Sequence, residues 1–435
     1  MSGGGSAQTG LSYAEALEYV TGLGRFGMKL GLDRMRAILD ELGHPEAGRP
    51  GALIAGTNGK GSTSAFLESI LRARGLRTGM TPSPHLSSYT ERVQLDGRPI
   101  SEADFATAVA DLRPRLARVI ASMGEPTEFE ILIALAIAWL GPRVDRLVIE
   151  VGMGGRLDST NVLDPGVAII TNVTFDHRSH LGSTVRKIAV EKAGIIKPGD
   201  VVVTGAQGTA LAVVERAAAE AGAAALWRLG REIRLRARWR GWDGSVVDVS
   251  GPGFAHRGLR VALPGTFQPA NAALAVAAAE ALGDATPDAV REGLAAARWP
   301  GRLERMGARL LLDGAHNPAG MRQLVRSLRG LLDAEPVTVV FGAMADKDVG
   351  LVLDELRRLE PRHVVFTAAA SAGPRALAPA ALAERWAGPA ETVADSRAAL
   401  RAARRRAGPG GWVVVCGSLY LVGELRLASP LRGGG

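Results

Sequence analysis

The residues best suited to chemistry lie in one glycine-rich segment, Gly56-Thr57-Asn58-Gly59-Lys60-Gly61-Ser62. It follows the apolar run 52–55 and precedes a stretch with helical apolar spacing, so the pattern predicts strand, loop and helix. Glycines let a backbone approach a polyphosphate, N–H groups at a helix start attract its charge, and Lys60 can reach the terminal phosphates. The segment predicts a nucleoside triphosphate site. The alternative is an ordinary glycine-rich turn before a helix.

The segment departs at two positions from the common P-loop pattern, G-x-x-x-x-G-K-[ST]. Ile54 stands at the first glycine position, and Gly61 follows the lysine where a hydroxyl is expected. A search with the general pattern would therefore miss this site. A lysine framed by two glycines is the stronger signal.

Two further polar residues follow predicted strands. The strand 146–151 contains Glu150 near its end, and the strand 167–171 leads to Asp176-His177. Ligands of parallel α/β sheets collect beyond the carboxyl ends of strands. We therefore expect Glu150 and His177 to face one crevice with Lys60.

The elements that must position these residues form two predicted domains. With 435 residues and 47% hydrophobic content, the chain is long enough for two cores with a cleft between them. We predict a disordered segment 1–10, a first domain 11–298 and a smaller second domain 299–435. Strands alternate with helical patterns, which favours doubly wound α/β domains. The alternating stretch 233–263 predicts antiparallel ribbons at the sheet edge.

The basic balance does not by itself indicate a nucleic-acid partner. The formal charge is +8, but only six of the 52 basic residues are lysine, so the high isoelectric point reflects a bias toward arginine. The densest basic run, 401–406, falls in a predicted surface helix with few aromatic residues nearby. We interpret it as a solvated helix face and predict no nucleic-acid binding.

Cysteine content and hydropathy indicate a cytoplasmic protein with no membrane partner. Cys416 is the single cysteine, which excludes an intramolecular disulfide. The glycine- and serine-rich start, 1–10, has no apolar region of the secretory type. The strongest apolar run, 131–140, is far shorter than the roughly 20 residues of a membrane span. It follows the capping-box pattern of Thr127 and Glu130 and predicts a buried helix.

Taken together, the motifs resemble those of the folylpolyglutamate synthase/dihydrofolate synthase family, within the Mur-ligase group of ATP-dependent amide-forming enzymes. The resemblance extends over nearly the whole chain. The motifs that carry it are GTNGKGS at 56–62, SPHL at 83–86, ER at 91–92, IEVGMGGRLDSTN at 149–161, FDH at 175–177, EKAGIIK at 191–197, PGR at 300–302, DGAHNP at 313–318, AMADKD at 343–348 and GSLYLVGELR at 417–426.

The resemblance implies a Mur-ligase-type P-loop ATPase domain, which also binds the pterin, followed by a smaller doubly wound, glutamate-binding α/β domain. It implies ATP as co-substrate, two Mg²⁺ ions, and L-glutamate with dihydropteroate or a reduced folate as the molecules joined. We also expect a monomer.

Matched residue by residue, the resemblance assigns a role to each candidate site position. The nucleotide would contact Gly59, Lys60, Gly61, Ser62, Asn271, Arg302 and Asp313. The metal ligands would be Ser83, Glu150, His177 and a carbamylated Lys192, while His316 would lie beside the reacting phosphate. The pterin would contact Met28, Lys29, Leu30, Gly31, Thr127, Glu128, Phe129, Glu130, Leu157, Asp158 and Ser159.

The scarcity of lysine agrees with two of these assignments. Lys60 would act as a compact phosphate-binding charge, and Lys192 would form a carbamate, which a guanidinium cannot do stably. For Lys192 the alternative is a helix residue that extends to solvent. Lys187, Lys197 and Lys347 have no such chemical reason in the sequence.

The resemblance implies that ATP converts a folate carboxylate into an acyl phosphate, which the amine of glutamate then attacks. A P-loop kinase or GTPase shares the opening loop but does not need EVGMGG, FDH and EKAGIIK together. The acceptor stays open at this point: dihydropteroate alone, reduced folates alone, or both.

Overall fold

The computed structural model describes residues 10–23, 31–176 and 178–428. Met28, Lys29, Leu30 and His177, together with nearly all of the predicted disordered segment, lie outside these ranges. Within them the chain forms two sheets flanked by helices and a third, small antiparallel sheet. No helix in the described ranges is long and apolar enough to cross a bilayer.

The first sheet has eight strands in the order β4-β3-β2-β5-β1-β6-β7-β8. Six of them run parallel, and β3 and β4 are added antiparallel at one edge. The strands are β1 Gly51–Ala55, β2 Thr78–Thr81, β3 Gln94–Leu95, β4 Arg98–Pro99, β5 Arg146–Glu150, β6 Gly166–Ile170, β7 Val201–Thr204 and β8 Ala225–Arg228.

Helices cover both faces of this sheet, because its central strands are apolar on both sides. One face packs against α3, α9 and α10, and the other against α1, α2, α4, α5, α7 and α8. The helices are α1 Tyr13–Leu23, α2 Asp33–Leu42, α3 Lys60–Ala73, α4 Glu102–Met123, α5 Glu128–Leu140, α6 Arg178–Leu181, α7 Val185–Ala193, α8 Gly208–Ala221, α9 Gln268–Ala281 and α10 Pro287–Ala296.

Strands β9 Arg234–Trp239, β10 Ser245–Gly251 and β11 Phe254–Val261 form the antiparallel sheet. The predicted antiparallel pairing is confirmed, but its predicted place at the edge of the large sheet is wrong. Val247 and Leu259 pack instead into the core that contains α9. One apolar face of the ribbon is therefore buried against a helix rather than extending the parallel ladder.

The C-terminal part of the chain, which begins after α10, contains the second sheet in the order β12-β13-β17-β14-β15-β16, parallel except for β12. Its strands are β12 Glu304–Arg305, β13 Leu310–Leu312, β14 Val337–Phe341, β15 His363–Phe366, β16 Ala390–Thr392 and β17 Trp412–Cys416. Its helices are α11 Pro318–Leu331, α12 Val349–Arg357, α13 Pro379–Ala383, α14 Ser396–Ala407 and α15 Leu419–Ala428. We call the chain up to the end of α10 the N-terminal part.

The expected α/β class with two parallel sheets is confirmed. Helix α5 is also confirmed as buried, and Thr127 and Glu130 form its capping box. The boundary at 298/299 stays a prediction.

Candidate active site

The glycine-rich segment joins β1 to α3, as predicted. Gly59 precedes the helix with φ 85°, a left-handed conformation that favours glycine. A Cβ atom at Gly59 would lie 2.4 Å from Oδ1 of Asn271, so there is also no room for a side chain. Glycine therefore serves both backbone conformation and close packing, and brings Asn271 of α9 next to the loop.

The end of β6 fixes the loop from the other side. The hydroxyl of Thr171 donates a hydrogen bond of 2.7 Å to the carbonyl of Asn58. The amide group of Asn172 both donates to that carbonyl, at 2.8 Å, and accepts from the Asn58 N–H, at 3.1 Å. The loop is held in shape by three side-chain contacts, which preorganises its N–H groups for an anion.

Lys60 and Glu150 meet at the carboxyl ends of neighbouring parallel strands. Ile54 of β1 is in register with Glu150 of β5, and Nζ of Lys60 lies 3.8 Å from Oε1 of Glu150. The Ser83 N–H donates a 3.2 Å hydrogen bond to Oε2. Burial raises the pKa of Glu150, while the charge of Lys60 and the Ser83 hydrogen bond lower it. The predicted proximity of Lys60 and Glu150 is confirmed.

The donor set at this point fits magnesium. Ser83 and Glu150 supply a hydroxyl and a carboxylate, the hard oxygen ligands that Mg²⁺ prefers. No group of three or more His, Cys, Asp or Glu side chains forms a metal cluster in the described ranges. That is compatible with Mg²⁺ bound to ATP, because this ion usually takes one or two carboxylates together with phosphate oxygens and water. His177, the third predicted ligand, is outside the described residues.

Lys192, in α7, is buried and 5% exposed. Its Nζ donates a 2.8 Å hydrogen bond to the carbonyl of Gly56, at the start of the glycine-rich segment. The alternative that this side chain extends to solvent is therefore wrong. Burial lowers the pKa of Lys192 to about 7, with a further contribution from the charge of Lys60. An amine that is partly neutral near pH 7 can react with carbon dioxide.

The C-terminal part contributes a loop shaped by Asp313. Its two oxygens accept hydrogen bonds of 2.9 Å from the N–H groups of Leu303 and Ala315. Burial raises its pKa, and nearby Arg302 opposes that shift. A Cβ atom at Gly314 would lie 2.2 Å from Nη1 of Arg302. Asp313 thus fixes both the backbone next to Arg302 and the turn that contains Gly314 and Ala315.

His316 projects from the same turn toward the N-terminal part. Nδ1 lies 2.8 Å from the carbonyl of Gly314, and since a carbonyl only accepts, Nδ1 carries the proton. Nε2 lies 3.7 Å from Oδ2 of Asp176. The histidine therefore reaches the segment that follows β6.

Three residues that received no role from the sequence join the two parts at this point. Asn317 donates to Oδ1 of Asn58 at 3.0 Å and to Oδ2 of Asp176 at 3.0 Å. Lys347 donates to Oδ1 of Asp176 at 2.7 Å. All three of Asp176, Asn317 and Lys347 lie inside quoted motifs, so the motifs were the available signal.

The predicted pterin-binding segment at the start of α5 contains one residue buried in the core and two residues nearer the cleft. Glu130 is 1% exposed and pairs with Arg34 at 2.7 Å, so its charge is balanced inside the core. Glu128 accepts a 3.0 Å hydrogen bond from the hydroxyl of Tyr89. A Cβ atom at Gly152 would lie 2.6 Å from the ring of Phe129, which places that ring beside the loop after β5.

The second segment predicted to bind the pterin, 157–159, is a tight turn built on Asp158. Its carboxylate accepts from the N–H groups of Met153 at 2.9 Å and Thr160 at 3.0 Å, and from the Thr160 hydroxyl at 2.6 Å. Burial raises its pKa, which these hydrogen bonds partly offset. Leu157 is half-buried and Ser159 is buried. Gly31 is the one residue of the predicted loop 28–31 that the structure describes.

Two protein-family models match the chain, one in the N-terminal part and one in the C-terminal part. Residues 54–279 match the Mur ligase middle domain. Residues 301–419 match the Mur ligase, glutamate ligase domain.

Individual relatives match nearly the whole chain. A dihydrofolate synthase/folylpolyglutamate synthase of Bacillus subtilis is 34% identical over 95% of this chain and 98% of its own length. A probable bifunctional folylpolyglutamate synthase/dihydropteroate synthase of Haloferax volcanii is 37% identical over 96% of this chain, which spans 50% of that longer protein. The crystal structure of Mycobacterium tuberculosis folylpolyglutamate synthase with ADP and AMPPCP is 34% identical, covers 97% of this chain and 100% of its own, and superposes with a TM-score of 0.89.

Proposed function

Because the chain belongs to the folylpolyglutamate synthase/dihydrofolate synthase family of Mur ligases, and is an ATP-dependent ligase that joins glutamate to a folate, we propose that its reaction takes place in the cleft between the N-terminal and C-terminal parts. The observation that carries this proposal is the convergence of Lys60 and Glu150 from one side and of Arg302 and His316 from the other.

ATP is proposed to bind along the phosphate loop. Gly59, Lys60, Gly61 and Ser62 provide N–H groups, a cation and a hydroxyl for its phosphates. Asn271 packs against Gly59 and is thus close to the same phosphates. Arg302 and Asp313 approach from the C-terminal part; the oxygens of Asp313 already hold two N–H groups and each retains a lone pair for the nucleotide.

Magnesium is proposed to be held by Ser83, Glu150 and His177, and a second ion by the carbamate of Lys192. When bound, the metal neutralises phosphate charge and makes the terminal phosphorus more electrophilic. Support for the carbamate comes from the burial of Lys192, its contact with the phosphate loop and its lowered pKa. Carbamylation would turn a buried cation into a buried carboxylate, which a metal ion would compensate.

The reaction then follows from the charges in the cleft. An oxygen of the acceptor carboxylate attacks the γ-phosphorus, ADP leaves, and an acyl phosphate forms. The neutral amine of glutamate attacks the acyl carbon, inorganic phosphate leaves, and one proton is released to complete the amide. Lys60 and Arg302 reduce the repulsion between the two anions and stabilise the transferring phosphoryl group. His316, oriented by its hydrogen bond to the Gly314 carbonyl, is proposed to lie beside that group.

The acceptor is proposed to lie against the loop 28–31, the start of α5 at 127–130, and the turn 157–159. The ring of Phe129 offers a flat surface for the pterin, and Glu128 is the first residue of α5. Asp158 and Glu130 act by shaping these segments, since the protein itself satisfies their oxygens.

We further propose a cytoplasmic monomer. Both sides of the cleft come from one chain, so the site is complete without a second copy, and the one cysteine, Cys416, is a buried free thiol. Gel filtration with light scattering tests the oligomeric state.

The acceptor range is tested with the purified chain, ATP, magnesium and labelled glutamate. Dihydropteroate and tetrahydrofolate are supplied in separate reactions, and product lengths are read by mass spectrometry. Products from both acceptors would establish a bifunctional enzyme, and products from one would establish the corresponding monofunctional enzyme. Absence of glutamate incorporation with both acceptors would contradict the proposed site.

A further inference from the structure

The segment between β2 and β3 ends in a rigid turn that displays Arg92. Glu91 accepts three backbone hydrogen bonds, from the N–H groups of Leu86 at 2.7 Å, Ser87 at 3.0 Å and Ser88 at 3.1 Å. A short 3-10 helix, Tyr89–Arg92, closes this turn. The carboxylate of Glu91 therefore fixes the backbone from which Arg92 projects.

The Arg92 side chain is held by neutral groups on two of its three nitrogens. Nη1 donates to the hydroxyl of Ser83 at 2.8 Å and to the carbonyl of Pro82 at 3.3 Å. Nε donates to Nδ1 of His85 at 3.2 Å. Because Nδ1 of His85 accepts this bond, that nitrogen carries no proton. These contacts orient the guanidinium without balancing its charge.

Among the described residues, Nη2 of Arg92 makes no hydrogen bond and the guanidinium makes no ion pair. The charges of Glu128 and Glu150 act on it, but both carboxylates are bonded to other groups. Burial lowers the pKa of Arg92, although an arginine stays charged at any physiological pH. Arg92 is half-buried, so this edge stays accessible, and a cation without an ion-pair partner at such an edge is suited to binding an anion.

The position of Nη2 indicates which anion binds to Arg92. Ser83, which Arg92 contacts directly, is next to Glu150 at the proposed metal and phosphate site. On the other side, Glu128 begins the proposed acceptor segment, and Tyr420 of the C-terminal part is near Arg92. The guanidinium thus lies between the segment that holds the acceptor and the phosphate that the acceptor carboxylate must attack.

We propose that Arg92 binds the reacting carboxylate of the acceptor through Nη2 and so selects acceptors that carry a free carboxylate. The inference rests on the proposed acceptor and nucleotide sites. A guanidinium that points one edge at a carboxylate aligns its oxygen for attack while neutralising repulsion with ATP. Pairing with the acceptor also balances the cation that the protein leaves unpaired.

The test compares an acceptor acid with its uncharged ester. Binding of dihydropteroate and of its carboxyl methyl ester is measured by calorimetry to the full chain with AMPPCP and magnesium. The wild type should bind the acid more tightly than the ester. In Arg92→Met we expect acid affinity to fall by about 10- to 100-fold, the scale of a hydrogen bond to a charged group, so that acid and ester bind alike. An acid preference that persists in Arg92→Met would overturn the proposal.

Two further variants keep the outcome interpretable. Arg98→Met removes an exposed arginine in β4 and should leave both affinities unchanged. Arg92→Lys keeps a charge without the planar guanidinium, so it should retain only part of the preference for the acid over the ester. A full preference in this variant would contradict the role of Nη2. This second variant keeps the test decisive if Arg92→Met does not fold.

Separate measurements distinguish this proposal from the proposed function. AMPPCP affinity and the KM for glutamate should change little in Arg92→Met. If only the KM for glutamate rose, Arg92 would bind the glutamate carboxylate and the acceptor assignment would fail. If the wild type bound AMPPCP but neither acceptor, the proposed acceptor site itself would fail.

Discussion

Nζ of Lys347 lies 2.7 Å from Oδ1 of Asp176, and the two side chains, 7% and 8% exposed, form a buried ion pair between the C-terminal and N-terminal parts. Asn317 adds a 3.0 Å hydrogen bond to the other oxygen of the same carboxylate. Asp176 precedes His177, a proposed metal ligand. One of the contacts between the two parts is therefore adjacent in sequence to the proposed metal site.

Lys347→Met should weaken the docking of the two parts by about 3–5 kcal/mol, the usual cost of removing one partner of a buried pair. We expect a lower thermal midpoint and a larger radius of gyration by small-angle scattering. Asp348→Asn is the matched control: it removes an exposed pair with Arg178, at 3.4 Å and with side chains 43% and 47% exposed, and should cost at most about 1 kcal/mol. Equal effects of the two substitutions would argue against a special role for the buried pair.

Lys60→Ala should reduce ligation by more than roughly 100-fold, the scale of losing one preorganised charge-stabilising group. The side chain contributes little to the core, so circular dichroism should be unchanged. Turnover is measured as ADP and amide product formed together. Near-normal turnover in this variant would remove Lys60 from the phosphate site.

Glu150→Gln and His177→Ala should each raise the magnesium concentration needed for half-maximal activity, because each removes a proposed ligand. The measurement is a magnesium titration at saturating ATP, with chelator-treated wild type as the zero-metal reference. If both variants followed the wild-type titration curve, these residues would not share a metal.

Lys192→Arg, Lys192→Gln and Lys192→Ala should all impair activity strongly, because none of them can supply a carbamate oxygen. The arginine variant is the informative one, since it keeps charge and approximate length. Acetate should partly restore Lys192→Ala. Wild-type activity in Lys192→Arg would mean that Lys192 acts only as a cation.

Carbamylation of Lys192 should also depend on pH. With a pKa of about 7 the side chain is mostly ammonium at pH 6 and mostly free amine at pH 8, and only the free amine reacts with carbon dioxide. A ¹³C NMR carbamate signal from labelled bicarbonate should therefore be stronger at pH 8, and absent in Lys192→Arg. A wild-type spectrum without that signal at pH 8 would contradict the modification.

Gly423→Ala should separate α15 from the turn after β2, because a Cβ atom there would lie 1.8 Å from the carbonyl oxygen of Leu86. Overpacking of this kind costs about 1–3 kcal/mol, which should appear as a lower thermal midpoint and reduced activity. Gly350→Ala is the control: this exposed position in α12 has open space, and the substitution should stabilise the helix by about 0.5–1 kcal/mol. A harmless Gly423→Ala would show that α15 and the turn are not in tight contact.

Local sequence determined the chemistry-bearing segments of this protein and the elements beside them. The phosphate loop between β1 and α3, the capping box of α5 and the position of Glu150 at a strand end all follow from patterns a few residues long. Such patterns are readable because backbone conformation, capping and hydrophobic periodicity act over short distances along the chain.

Tertiary structure decided which of these groups meet and which are buried. Asn58 pairs with Asn317, 259 positions away, and Asp176 pairs with Lys347, 171 positions away. Neither pairing has a local signal, because each depends on how the two α/β parts dock. Burial of Lys192 and the open edge of Arg92 likewise arise from packing between distant elements. The sequence thus determined which residues are chemically competent, whereas their pKa values and partners required the fold, since desolvation and Coulomb interactions depend on three-dimensional distance.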